Sequence, residues 1–263
     1  MVVVSVVTLI KNNRLGFHKT YDSLVKQTHT NWEMLVVAGN STDGSEKLVL
    51  DLQKNDKRIK FALDSSNGIY AAMNQGLDMR TSDLVWFMNS GDVFYGNQTI
   101  ELTLEKLNDL NVDLIIGGYA IMDGEELKLH SKRSKHLSTR EFSLNVRGGC
   151  HQSMLLKLNK KNTNLRFNEK YHIASDFDYT LRFMRNGNCY RTSQVLSIIE
   201  PGGVSSREIH GVIMEKQNIR RDFFSNSHTD IVLGQLWSIL LKAKIASREL
   251  KSVFIGHRGR IVQ

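Results

Sequence analysis

LVWFMNSGD, residues 84–92, runs five apolar side chains into a turn of small and polar residues that closes on a carboxylate. A short, wholly apolar run bounded by such a turn reads as a strand buried on both faces. Outward from it the same alternation repeats. Val2–Ile10 is a β-rich run, Leu15–Gln27 has helical spacing, and Trp32–Val37 is again strand-like. Asp43-Gly44-Ser45 opens a helix, Ile59–Leu63 is a strand, and Ile69, Met73 and Leu77 recur on one helix face. Thr99–Leu110 reads as a helix and Val112–Ile116 as a further strand. Strands alternating with helices imply right-handed βαβ units. The expected class is therefore α/β, a Rossmann-like, mostly parallel sheet flanked by helices.

From residue 118 the pattern changes. Tyr119–Met122 and Glu126–His130 flank Asp123-Gly124, a hairpin signal. A basic, irregular stretch leads to Gly149; Ala174–Asn186 reads as a helix stopped by Gly187, and Val195–Ile199 as a last strand. Helices are expected near 209–224 and 230–251. These shifts divide the chain at 1–117, 118–206 and 207–263, the last a C-terminal helical extension.

With 263 residues, 41% of them hydrophobic and 24% charged, the chain can bury a core, which excludes disorder. Two cysteines, Cys150 and Cys189, with no CxxC spacing, give neither a disulfide framework nor a zinc site. Val2–Ile10 lacks the basic start and small-residue cleavage site of a signal peptide. No apolar run reaches the ~18–20 residues that cross a bilayer. A soluble or peripheral protein in the cytoplasm is the expectation.

In an open parallel sheet, ligands bind beyond the carboxyl ends of the strands. The segments there are Thr8–Ile10, Ala38–Ser41, Asp64–Gly68 and Asn89–Asp92. None carries GxGxxG or a Walker-type loop, which disfavours dinucleotide and P-loop chemistry. Asp92 is either a carboxylate for a hard cation such as Mg²⁺ or Mn²⁺, or a turn former. Asp176, near the start of a helix pinned by Phe177, Leu181 and Met184, is either a general base or an N-cap. His151 and Gln152 are either donors to a sugar or phosphate, or buried hydrogen-bonding groups. Pro201–Ser205 is a plain turn or a loop over a site.

Taken in order, these segments resemble the family 2 glycosyltransferases of GT-A fold, most closely bacterial enzymes that build surface polysaccharides such as colanic acid and O-antigen on lipid carriers. The residues that carry the resemblance are Ser5–Thr8, Asp22–Leu24 with Gln27-Thr28, Asn40–Ser45, Asn67–Tyr70 with Ala72–Gly76, Phe87–Asp92, His151-Gln152, Ser175-Asp176 and Gly202–Ser205. The resemblance implies that residues 1–117 bind the nucleotide sugar and that 118–206 carry the acceptor site and the base. By it, Asp92 holds a divalent metal (Mn²⁺ or Mg²⁺), Asp176 is the catalytic base, and Thr8, Asn40, Asn67, Asn74, Asn89 and Asp92 line the donor site. His151, Gln152, Gly202 and Gly203 fall to the acceptor. The implied reaction is inverting transfer from a nucleotide diphosphate sugar, expected to be UDP-linked, to a polyprenyl-diphosphate-linked saccharide. The chain departs from the family where Ala38, Gly39, Ser66, Ala71 and Gly91 stand in place of acidic residues.

The formal net charge is +8, with −5 over residues 1–130 and +13 over the remainder. Such asymmetry suits an anionic partner. Leu233, Leu236, Trp237, Leu240 and Leu241, followed by Lys242, Lys244, Arg248 and Lys251, form a basic amphipathic stripe. It either lies on an anionic membrane or packs on its own domain or a second subunit. A nucleic-acid-binding module is the rival reading, without a stacking platform or motif to support it. A non-catalytic transferase-like scaffold is another, prompted by Ala38, Gly39 and Gly91.

Overall fold

The computed structural model describes residues 2–65, 68–123, 126–144, 149–203, 207–225, 232–236 and 239. Ten strands form one sheet: β1 Val4–Ile10, β2 Trp32–Ala38, β3 Ile59–Leu63, β4 Leu84–Phe87, β5 Val93–Phe94, β6 Leu114–Asp123, β7 Glu126–His130, β8 Lys135–His136, β9 Met154–Lys157 and β10 Cys189–Ile199. The helices are α1 Arg14–Val25, α2 Ser45–Asn55, α3 Ile69–Asp78, α4 Thr99–Asp109, α5 Thr139–Leu144, α6 Ser175–Met184 and α7 Ile209–Phe223.

Strand order is β3-β2-β1-β4-β9-β6-β10-β5. The pairs β3-β2, β2-β1, β1-β4 and β6-β10 are parallel, whereas β9 runs antiparallel between β4 and β6. The hairpin expected at Asp123-Gly124 is β6–β7, with Tyr119 opposite His130. Strand β9, for which the sequence reading has no element, is the antiparallel member inside the mostly parallel sheet expected. The strands expected at 112–116 and 119–122 are one strand, β6, and β10 begins at Cys189 rather than Val195.

Period-two alternation sends successive side chains to opposite faces. Val4, Val6, Trp86 and Met88 pack with Phe17 of α1, Val49 of α2 and Leu104 of α4. Val7, Val85 and Phe87 pack on the other face with Met73 of α3, Phe142 of α5, Phe177 of α6 and Ile219 of α7. Each such fully buried side chain contributes about 1.5–3 kcal/mol. Gly76 lets α3 lie close on the sheet, since a Cβ there would stand 2.4 Å from Val7 Cγ1.

Helix α7 belongs to this core. Besides Ile219, it places the Arg220 guanidinium, 4% exposed, with Nε donating to the Ser143 carbonyl at 2.7 Å. The composition break at 206/207 therefore does not separate 209–223 from the domain. Most of the amphipathic stripe expected at 230–251, including Trp237 and every lysine and arginine named in it, lies outside the described residues. No helix among the described residues is long and apolar enough to cross a membrane.

Candidate active site

The parallel strands bring four loops to one edge of the sheet. The turn Asn89–Asp92 continues β4 there and is fastened by α1. Thr20 Oγ1 accepts from Gly91 N at 3.0 Å and lies 2.8 Å from the Asp92 carbonyl. Asn13, whose side chain also caps α1 by accepting from Gly16 N, donates to the Ser90 carbonyl at 3.0 Å. Gly91 has φ +104°, the left-handed region that glycine tolerates best, and a Cβ there would fall 2.1 Å from Glu200 Oε2. The Glu200 carboxylate, from the end of β10, thus occupies the space a side chain at 91 would need.

Because β9 runs against its neighbours, its first residue meets the carboxyl-end edge of the sheet. The one-turn 3₁₀ helix His151–Ser153 just ahead of it therefore lies at the strand ends. From this turn Gln152 Nε2 donates to Asp92 Oδ2 at 2.8 Å, while Glu200 N donates to Asp92 Oδ1 at 2.9 Å. Asp92 is 4% exposed, and burial, opposed by these donors, raises its pKa. Gln152 is itself buried, its Oε1 accepting from Cys150 Sγ and its carbonyl from Trp86 Nε1. The amide that was expected to touch the acceptor instead locks Asp92.

The same arrangement sets what Asp92 can offer a cation. Each oxygen of Asp92 accepts one protein N–H, which leaves a further lone pair on each for a hard cation. Among the described residues no three or more His, Cys, Asp or Glu side chains gather as a metal-binding group.

The neighbouring residue reaches the other carboxylate. His151 Nδ1 lies 3.3 Å from Asp176 Oδ2, and its Nε2 lies 3.1 Å from Asn89 Nδ2. The Asp176 side chain is 26% exposed. It does not cap its helix: the N-cap is Ala174, and Ser175 donates instead to the Asn168 carbonyl. Burial pushes the Asp176 pKa up, but the His151 hydrogen bond, Lys216 and the Phe177 N–H together hold it below the ordinary value. Asp178, one residue beyond Phe177, is spent on Arg182 at 2.6 Å.

Three groups to which the sequence reading gave no role shape the surroundings of Asp176. Glu215 of α7 accepts the N–H groups of His172, Ile173 and Ala174 at 2.8, 2.9 and 2.8 Å, anchoring the turn that starts α6. Lys216, beside it, lies 4.9 Å from the Phe177 ring; burial lowers its pKa, and the Asp176 charge opposes that shift. The Tyr70 hydroxyl is raised by burial first and by the Asp176 charge second, while it accepts from the backbone of Asp176 and Ser175. All three come from α3 or α7, far from residue 176 along the chain, which hides them from local motifs.

The remaining candidates divide. Thr8 is fully buried at the end of β1, and its Oγ1 has no hydrogen-bond partner. Asn40 is exposed beyond β2, and Gly202 and Gly203 are exposed beyond β10. Asn74 is tied to the chain at Phe167, donating to its carbonyl at 3.1 Å and accepting from its N–H at 2.7 Å. That residue braces α3 instead of facing the crevice with a free amide. Asn67 lies outside the described residues.

The profile described as "Glycosyl transferase family 2" matches residues 5–187. A Mycobacterium bovis protein named PGL/p-HBAD biosynthesis glycosyltransferase is 25% identical over 204 residues, 76% of either chain. A Bacillus subtilis glycosyltransferase named for teichuronic acid biosynthesis, TuaG, is 29% identical over 156 residues, 58% of this chain and 62% of its own. Among solved structures, S. aureus TarS 1-349 in complex with UDP superposes with a TM-score of 0.66 at 18% identity, covering 84% of this chain and 66% of that one. The mannosyltransferase PcManGT from Pyrobaculum calidifontis, in complex with GDP-Man and Mn²⁺, gives 0.61 at 12% identity over 94% and 80%. These likenesses show a GT-A fold. Since the profile spans most of its length, the chain belongs to glycosyl transferase family 2.

Proposed function

We propose that the chain moves a sugar from a nucleotide diphosphate sugar, with UDP as the nucleotide, to a hydroxyl of a polyprenyl-diphosphate-linked saccharide during surface-polysaccharide assembly. The observation that carries this reading is one turn gripping two carboxylates: Gln152 on Asp92 and His151 on Asp176. That turn joins the donor-side loop after β4 to the start of α6. Relatives named for teichuronic acid and PGL biosynthesis, and a structural neighbour described with UDP-GlcNAc, support the substrate classes.

In the proposed reaction the acceptor oxygen attacks the anomeric carbon from the side opposite the diphosphate. The C1–O bond to phosphate breaks, its electron pair leaves with the nucleoside diphosphate, and the hydroxyl proton passes to Asp176. One displacement inverts the configuration. Asp176 suits this step because it is ionised and partly open to the crevice. Asp92 fixes the donor-side turn. Asp176→Asn is expected to abolish transfer while UDP-sugar binding, measured by calorimetry, survives. Transfer near the wild-type rate in that variant removes Asp176 from its role.

A further inference from the structure

We propose that His151 is a positioning residue, neutral and protonated on Nδ1, that orients the Asp176 carboxylate, and that Asn89 on the donor side fixes which ring nitrogen carries the proton. The inference rests on Asp176 being the base. Its own support is geometric. A carboxylate oxygen accepts and cannot donate, so the ring nitrogen 3.3 Å from Asp176 Oδ2 must carry hydrogen. In a neutral imidazole the other nitrogen is then an acceptor. The group facing it, 3.1 Å away, is the Asn89 amide nitrogen, a donor. Turned the other way, Asn89 would bring Oδ1 to Nε2, two acceptors face to face. As placed, Asn89 Oδ1 is buried with no hydrogen-bond partner.

The chain Asn89–His151–Asp176 thus links the turn after β4 to the proton acceptor on α6. Asp176 Oδ1 already accepts from Phe177 N at 2.8 Å, so the His151 contact fixes the second oxygen and with it the plane of the carboxylate. His151 is only 19% exposed, and its two contacts use both ring nitrogens. An acceptor contact through this ring would break one of them, which separates the present role from the sugar-binding one expected of the sequence.

The test combines spectroscopy with kinetics on the full chain. Ring-nitrogen NMR of ¹⁵N-histidine-labelled protein, with His151 assigned by the signal lost in His151→Asn, is expected to show the neutral Nδ1–H tautomer. A neutral Nε2–H ring, the form favoured by a solvated histidine side chain, overturns the proposal. In Asn89→Asp a carboxylate faces Nε2, and both ring nitrogens are expected to carry protons; an unchanged neutral ring removes Asn89 from its part. His151→Ala should lower kcat roughly 100-fold, the scale of a misplaced reacting group, with donor KM within about twofold. His151→Asn, whose amide stands near Nδ1, should recover most of that loss, whereas His151→Gln should not. Equal rates for Asn and Gln, or wild-type kcat in the Ala variant, overturn the positioning role. An active Asp176→Asn removes the base assignment instead, so the two failures are told apart.

Discussion

Asp176 and Asp92 are pushed in opposite directions by their surroundings. Asp176 faces His151 from the turn before β9, Lys216 from α7, Tyr70 from α3 and Cys150, and its net shift is downward despite burial. A lowered pKa keeps the base ionised above the ordinary 3.8 and loses it only as pH falls below. The acid limb of kcat should therefore stay under that value; a limb near neutrality would assign the proton to another group. Asp92 is shifted up, burial being the largest cause. It is a strut whose removal leaves the buried Gln152 amide without a partner and frees the part-buried Glu200 N–H. Asp92→Ala should cost roughly 1–3 kcal/mol, the scale of one buried donor left unpaired. The measurement is thermal unfolding in excess EDTA. A variant of unchanged Tm that loses only Mn²⁺-dependent UDP binding would assign the metal role to Asp92.

At the scale of elements, the base depends on a helix distant in the chain. Glu215 holds three successive N–H groups ahead of α6 with one carboxylate. Charge-assisted hydrogen bonds of this kind are among the stronger ones. Glu215→Ala should lower kcat about tenfold or more by letting the start of α6 drift, with Tm also reduced; a stability loss alone, at wild-type kcat, would make the clamp purely structural. The first four parallel strands were readable because each is a short apolar run followed by a turn. Strand β9 was not: four residues among lysines carry no period, and its place is dictated by the gap between β4 and β6. The two-residue strands β5 and β8 and the six-residue helix α5 are likewise too short to show a period. The sites follow the same divide. Asp92, His151 and Asp176 stand out locally as polar residues at strand or helix ends. What each one touches is set by the antiparallel insertion of β9 and by α7, and no window of sequence contains both partners.

Across the whole molecule, composition merges charges that the fold keeps apart. Lys157, Lys160 and Lys161 add to the basic second half and are exposed. Yet Lys157 closes antiparallel β9 opposite Leu84, the first residue of β4, so it lies at the edge of the sheet away from the strand ends. The seven residues of β1 at ~3.3 Å each separate those edges by roughly 23 Å. That is about three screening lengths at 0.15 M salt, where the Debye length is ~8 Å. Charges at the far edge are therefore shielded from the crevice, and the proposed anionic acceptor would be recognised by groups nearer the site. Replacing all three lysines by glutamate should leave kcat/KM for a lipid-diphosphate-linked acceptor within about twofold at 0.15 M salt, a change allowed by residual screening. A drop of tenfold or more at that salt would mean that the acceptor, or the membrane carrying it, meets the protein at the opposite edge of the sheet.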